Sequence, residues 1–199
     1  MVKHAADEHK PLYTAAERVA LAFEQVTAGH TFTPDQQQWL DRIRSHMIQN
    51  LSIDPEDFDT MPILANAGDK LFLQDPQLGT QSWQPLRTWS DSSSNQGLRY
   101  YKDTIWYRTN LTVPEKFAGR KMRVWMGGVD DTARVWIDGH ELELLQKGSA
   151  PIGMPWEFDA GATLTPGKQQ VIVVKVSDNS MNELGTMGIT GPVMIWAEP

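Results

Sequence analysis

The chain has 199 residues, 40% of them apolar, and a net charge of −7, which is enough apolar area for one large domain or two small ones. The negative balance argues against a general nucleic-acid surface, because phosphate contacts need clustered Lys and Arg. Cys is absent, which excludes disulfides and thiolate metal sites, and no apolar run approaches the ~20 residues of a membrane span.

Charge is unevenly placed. Residues 1–70 carry 6 Lys and Arg against 11 Asp and Glu, whereas the remainder carries 12 against 14. With the change in periodicity described below, this shift predicts two modules, residues 1–70 and 71–199, joined near Gly68–Leu71.

The first module reads as helical. In "YTAAERVALAFEQVTAGH", Thr14 and Glu17 form a capping box. Val19, Ala22, Phe23 and Val26 follow at helical spacing, and Gly29 is placed to end the helix. In "TFTPDQQQWLDRIRSHMIQNL", Thr33 caps, Pro34 takes the first helical position and Gln36 closes the box. Trp39, Leu40, Ile43, Met47 and Leu51 then make one apolar stripe. "SIDPEDFD" predicts a third, short helix with Asp54 as its cap and Pro55 behind it. Helices of this length bury little area alone, so the segment is expected to lean on a partner.

After Leu71 the period changes to two. "TIWYRTNLTV" and "RKMRVWM" alternate apolar and polar positions. In "ARVWIDGHELEL", Asp138-Gly139 sits between alternating runs, the signature of a type I′ hairpin turn with positive φ at both central residues. "QQVIVVKVSD" reads as a strand buried on both sides at its middle, and "GPVMIWAEP" as a closing strand. Strands separated by turns, with no helical pattern between them, predict a mainly β fold, an antiparallel β-sandwich or jelly roll, preceded by the small helical segment. The strand set looks complete without residues 1–68.

Both halves have family likenesses. "YTAAERVALAFEQVTAG", "FTPDQQQWLDRIRSHMIQNLSIDPEDFD" and "MPILANAG", covering about residues 10–68, resemble the C-terminal helical region of the R subunit of type I restriction-modification enzymes. That resemblance implies a docking or assembly element, with a protein partner engaged through the helices of residues 14–51. The sequence holds no GxxxxGK[ST] loop, helicase motif or nuclease carboxylate cluster, so no DNA cleavage or direct nucleic-acid binding is expected. "WYRTNLTVPEKFAGRKMRVWMGGVDDTARVWIDGHEL", "PWEFDAGATLTPGKQQVIVVKVSD" and "GITGPVMIW" resemble the sugar-binding domain of glycoside hydrolase family 2, the β-galactosidase group. This likeness implies a galactose-binding-like jelly roll that packs beside a catalytic barrel of ~250 residues. The barrel is not in this sequence, so the chain reads as a non-enzyme with a galactoside-like ligand. The absence of Cys suits a bacterial cytoplasm and a periplasm equally and does not choose between them, and the polar N-terminus is not a signal peptide.

Candidate site residues follow from these patterns. Asp178 comes directly after the "VIVVKVS" strand, where loops leave a sandwich and carry function. A carboxylate there can accept hydrogen bonds from vicinal sugar hydroxyls or hold a cation. By resemblance it matches the aspartate that β-galactosidases place near the sugar and a cation; an Asx-turn at the strand end is the alternative. Asn179, Asn182 and Glu183 share its loop. A second polar loop, Asp91–Gln96, is flanked by Trp89, Arg99, Tyr100 and Tyr101, the aromatic-plus-planar-polar mixture that sugar sites use; core packing is the competing reading of those aromatics. In "GGVDDTARVW" the two acids point to opposite faces of a strand, and the glycines serve a tight approach in the fold. Trp106, Trp125, Trp136 and Trp156 read as packing residues. The five His show no metal spacing, and no cofactor is expected beyond a cation beside Asp178. Three functions remain in view: a carbohydrate-binding module without its catalytic partner, a docking fragment of a restriction enzyme with the sandwich as scaffold, and an inert structural domain of a larger hydrolase.

Overall fold

The computed structural model describes residues 31–53, 57–63, 67–88, 103–130, 132–145, 155–177 and 188–198. Helix α1 spans Pro34–Asn50. Its capping box forms as the spacing predicts: Thr33 N–H donates to Gln36 Oε1 at 2.9 Å, and Gln36 N–H donates to Thr33 Oγ1 at 3.4 Å. From there the chain departs from the helical expectation. Leu51–Ile53 is strand β1, Asp57–Ile63 is strand β2, and only the four residues Ala67–Lys70 (α2) return to helix. Of the third helix expected at Asp54, residues 54–56 lie outside the described residues, and from Asp57 onward the chain is strand, not helix.

The later strands are β3 (Gln84–Arg87), β4 (Thr104–Thr112), β5 (Met122–Met126), β6 (Thr132–Ile137), β7 (His140–Glu141), β8 (Glu143–Leu144), β9 (Trp156–Asp159), β10 (Gln169–Ser177) and β11 (Val193–Ala197). They form two sheets, one ordered β1-β11-β5-β9-β8 and the other β3-β2-β4-β10-β6-β7. Every strand pair is antiparallel, so the sandwich reading holds. Among the described residues no helix is long and apolar enough to cross a membrane.

The alternation seen in the sequence builds the core. Ile105 and Tyr107 of β4, Val135 and Ile137 of β6, and Ile172, Val174 and Val176 of β10 face inward. They meet Val124 and Met126 of β5, Phe158 of β9 and Ile195 of β11. Burial of one large aliphatic side chain contributes roughly 1.5–3 kcal/mol, so this inner layer carries most of the stabilisation.

The segment that reads as an appendage adds a strand to each sheet and packs α1 on the five-stranded one. Strand β1 pairs Leu51 with Trp196 on β11, and α1 packs against β11 and β1. Leu40 of α1 is buried, and Arg42 reaches the buried Glu157 of β9 at 3.7 Å. Strand β2 lies between β3 and β4, pairing Asp57 with Arg87 and Ile63 with Thr104. Leu51–Ile53 and Asp57–Ile63 thus belong to the sheets, so the strand set is not complete without them. Pro62 explains why this strand is hard to foresee. β3 pairs only Asp57–Thr60, so Pro62 lies where β2 faces β4 alone, the edge setting in which a ring without an N–H is tolerated.

On the outer face of the six-stranded sheet, the strap from α2 to β3 seals a second apolar cluster. Leu73 and Trp83 of the strap pack with Trp106, Trp136 and Val173, and the Trp106 and Trp136 rings stack at 5.4 Å and 20°. Arg108 of β4 donates to the strap carbonyls of Asp75 at 2.8 Å and Pro76 at 2.5 Å. This cover is why the middle of β10 is buried on both sides. Trp106, Trp125, Trp136 and Trp156 are all buried, as packing residues should be.

Candidate functional site

All eight candidate residues drawn from the sequence lie outside the described residues: Trp89, Asp91, Arg99, Tyr100, Asp178, Asn179, Asn182 and Glu183. What is described is the frame from which their segments leave. Ser177, the last residue of β10, pairs with Thr104 at the start of β4 and with Thr132 at the start of β6. The Thr104 and Ser177 hydroxyls are 3.0 Å apart, and Thr132 Oγ1–H donates to the Ser177 carbonyl at 3.0 Å. The chain before Thr104 and the chain after Ser177 therefore depart side by side from one end of the six-stranded sheet.

The far anchor of the 178–187 segment is also fixed at this end. Gly188 accepts a hydrogen bond from Asp130 N–H at 3.0 Å, and Ile189 bridges Val129. Tyr107 rises from the core beneath it and accepts the Ile189 N–H at 3.3 Å. Burial pushes the Tyr107 phenol well above its usual range, an effect that the Ile189 hydrogen bond partly offsets. Gly188 has φ +91°, and a Cβ there would collide with the Tyr107 hydroxyl. "GGVDD" and "GITGP" meet through their glycines: a Cβ on Gly191 would fall 2.6 Å from the Gly127 carbonyl carbon. That is the structural role expected of those glycines.

The opposite end of the same sheet is built around the β6–β7 turn. Asp138 has φ +47° and Gly139 φ +81°, the type I′ geometry that Asp-Gly predicts. The Asp138 carboxylate accepts from Val171 N–H at 2.8 Å and from Gln170 Nε2 at 2.8 Å. Gln170 is buried and donates also to the Thr163 carbonyl at 3.0 Å. These groups and His140 border an open cleft of about 380 Å³. In the sequence Asp138 reads only as a turn residue and His140 as isolated. The signal available was the turn itself, which fixes the direction of an acid two residues before a histidine.

A third charged group lies on the strap-covered face. Arg134 grips Glu141 with two hydrogen bonds of 2.7 and 2.6 Å, which raises its pKa further, and stands 4.9 Å over the Trp136 ring. Lys175 meets Asp69 at 2.6 Å. The first pair ties β6 to β7, and the second ties α2, where the strap begins, to β10.

Comparison with known proteins gives two separate likenesses. The family model described as EcoEI R protein C-terminal matches residues 1–84. A β-glucuronidase of Paenibacillus borealis is 26% identical over 91 residues, covering 46% of this chain and 15% of that protein. A β-glucuronidase of Formosa agariphila is 32% identical over 89 residues, covering 45% of this chain and 8% of that protein. Among solved structures, Faecalibacterium prausnitzii β-glucuronidase superposes with a TM-score of 0.55 at 21% identity, over 75% of this chain and 31% of its own. Ruminococcus gnavus β-glucuronidase in complex with D-glucuronic acid gives 0.61 at 15% identity, over 74% and 29%. The chain spans less than a third of these solved enzymes and 15% or less of the curated relatives. The restriction-like match runs through β1, β2 and the strap, so the sequence that resembles one family supplies strands to the fold that resembles the other. The chain is therefore similar to a β-sandwich domain of glycoside hydrolase family 2 β-glucuronidases, and over residues 1–84 to the C-terminal region of a type I restriction R protein.

Proposed function

We propose that the chain is a non-catalytic, carbohydrate-binding β-sandwich, with its sugar site at the sheet end marked by Thr104, Thr132 and Ser177. The observation that carries this reading is the hydrogen-bonded junction of those three residues. It makes the segment bearing Arg99 and Tyr100 and that bearing Asp178, Asn179, Asn182 and Glu183 adjoin neighbouring strands at this rim, whereas Trp89 and Asp91 follow Arg87, which pairs with Asp57 toward the other end of the sheet. Loops at one end of a rigid sandwich are where binding residues collect. In this reading Tyr100 covers the C–H face of a hexose, and the Asp178 and Glu183 carboxylates and the Asn179 and Asn182 amides accept and donate to its hydroxyls. A cation beside Asp178 belongs to the same reading. The solved Ruminococcus gnavus β-glucuronidase similar in fold is in complex with D-glucuronic acid, so the ligand class to test is galactosides together with glucuronides. Titration of the chain with methyl β-galactoside and methyl β-glucuronide, followed by Trp fluorescence, should give saturable quenching that Asp178→Ala abolishes. Quenching unchanged by Asp178→Ala and by Arg99→Ala would place the sugar elsewhere.

A second reading, an assembly element for a type I restriction enzyme, is favoured by the family-model match over residues 1–84. Against it, α1 spends Leu40 and Arg42 on the sandwich itself. Mixing the chain with a purified restriction-methylase complex and following co-elution tests this reading directly.

A further inference from the structure

The geometry points to a second ligand site at the opposite end of the six-stranded sheet, a cleft for a small neutral polyol bordered by Asp138, His140, Ala162, Thr163 and Gln170. The cleft of about 380 Å³ falls within the ~300–1,000 Å³ of small-molecule sites and suits a single sugar ring. Its polar groups are held before any ligand arrives. The type I′ turn sets Asp138 at φ +47°, and its backbone N–H donates to the Val171 carbonyl at 2.9 Å. The turn is also backed by the strap, since a Cβ on Gly139 would stand 3.1 Å from Pro76.

The Asp138 carboxylate takes one chain donor on each oxygen, Val171 N–H and Gln170 Nε2. An ionised carboxylate offers about four acceptor positions, so each oxygen keeps one lone pair for a ligand, in the paired arrangement that two neighbouring hydroxyls match. Gln170 is fully engaged, because its Oε1 accepts Thr165 N–H at 2.5 Å; it positions the carboxylate and does not bind. His140 is exposed and Thr163 is partly exposed; they supply an imidazole and a hydroxyl, and Ala162 gives an apolar patch for a C–H face.

The charge of the lining decides the ligand class. It contains one carboxylate and no Lys or Arg, so an anionic sugar or a phosphate is repelled and a neutral polyol is accepted. Gln170 and Ser177 lie seven residues apart on β10, roughly 23 Å at strand rise, so this cleft is separate from the rim of the proposed function.

Titration of the 15N-labelled chain with methyl β-D-glucopyranoside and, separately, with D-glucuronate tests the inference. Saturable shifts of the Asp138–His140 and Thr163 amides are expected with the neutral glycoside, with little response to the uronate. His140→Ala and Thr163→Val, each checked for an unchanged melting profile, should weaken binding, together by about tenfold or more. Either variant suffices if the other fails to fold. No saturable shift, shifts confined to the Thr104–Ser177 end, equal response to the uronate, or binding insensitive to the well-folded variant would each overturn the site. Shifts confined to the other end would at the same time favour the rim site, so the two readings fail separately.

Discussion

Lys175 and Asp69, 106 residues apart in sequence, meet through a 2.6 Å ion pair between β10 and the short helix α2. The Lys175 side chain is 11% exposed and Asp69 37%, so the ammonium depends on this partner far more than the carboxylate does. Lys175 Nζ also sits 5.4 Å from the Trp106 ring, which contributes a smaller cation–π attraction. Removing Asp69 strands a nearly buried charge. Asp69→Asn is expected to lower unfolding free energy by about 1–2 kcal/mol in urea titrations. The double change Asp69→Asn with Lys175→Met should recover much of that loss, because it removes the uncompensated charge. Equal destabilisation by the single and double changes would show that the pair contributes through packing alone.

Truncation tests how far the N-terminal segment is part of the fold. Deleting residues 1–68 removes β2 from between β3 and β4 and takes β1 and α1 from the other sheet. It leaves the unpaired backbone of β4 in water along Asp59–Ile63's former register and uncovers Trp196, which is fully buried in the whole chain. The shortened chain should lose its cooperative thermal transition by circular dichroism and bind a hydrophobic dye. A sharp melt close to that of the full chain would contradict the pairing of residues 51–63.

Alkaline stability should report on Tyr107. Its phenol is raised in the fold by burial, while the unfolded phenol titrates near ~10. A raised acid favours the neutral folded form. Its contribution is complete below the unfolded pKa and declines as pH rises through ~10 toward the higher folded value, because the unfolded state ionises first. Tyr107→Phe should flatten this alkaline fall, while costing about 1 kcal/mol at neutral pH through the lost Ile189 hydrogen bond. Unfolding measured at pH 8 and near pH 10.5–11 in both proteins separates the two effects.

Gly188 offers a steric test of the same junction. At φ +91° and directly against the Tyr107 hydroxyl, it has neither the backbone freedom nor the space for a methyl group. Gly188→Ala should destabilise by about 2 kcal/mol or more. The Gly188→Ala, Tyr107→Phe double variant should recover the part due to the hydroxyl collision and keep the part due to backbone strain. Calorimetric melting of the three variants checks the partition.

The sequence by itself determined which alternating segments become strands. Alternation in Thr104–Thr112, Met122–Met126 and Thr132–Ile137 is written residue by residue, although β5 and the first half of β4 are buried on both faces. It also determined the local chemistry that needs no distant partner: the Thr33–Gln36 box and the Asp138-Gly139 turn. Tertiary structure alone decided that Asp57–Ile63 becomes a strand. Asp57, Asp59 and Pro62 have low strand propensity, and such a segment takes its conformation from the open edges of neighbouring strands, here β3 and β4. The strap is a similar case, because the pairing of Lys175 with Asp69 and the hold of Arg108 on two carbonyls depend on the sheet existing first. The same holds for the cleft at Asp138, where residues from the β6–β7 turn, the loop before β10 and β10 itself come together only when the hairpin closes on its neighbour. Local patterns encode which face is apolar; long-range pairing chooses which segments meet, because its free energy appears only after the partners are in place.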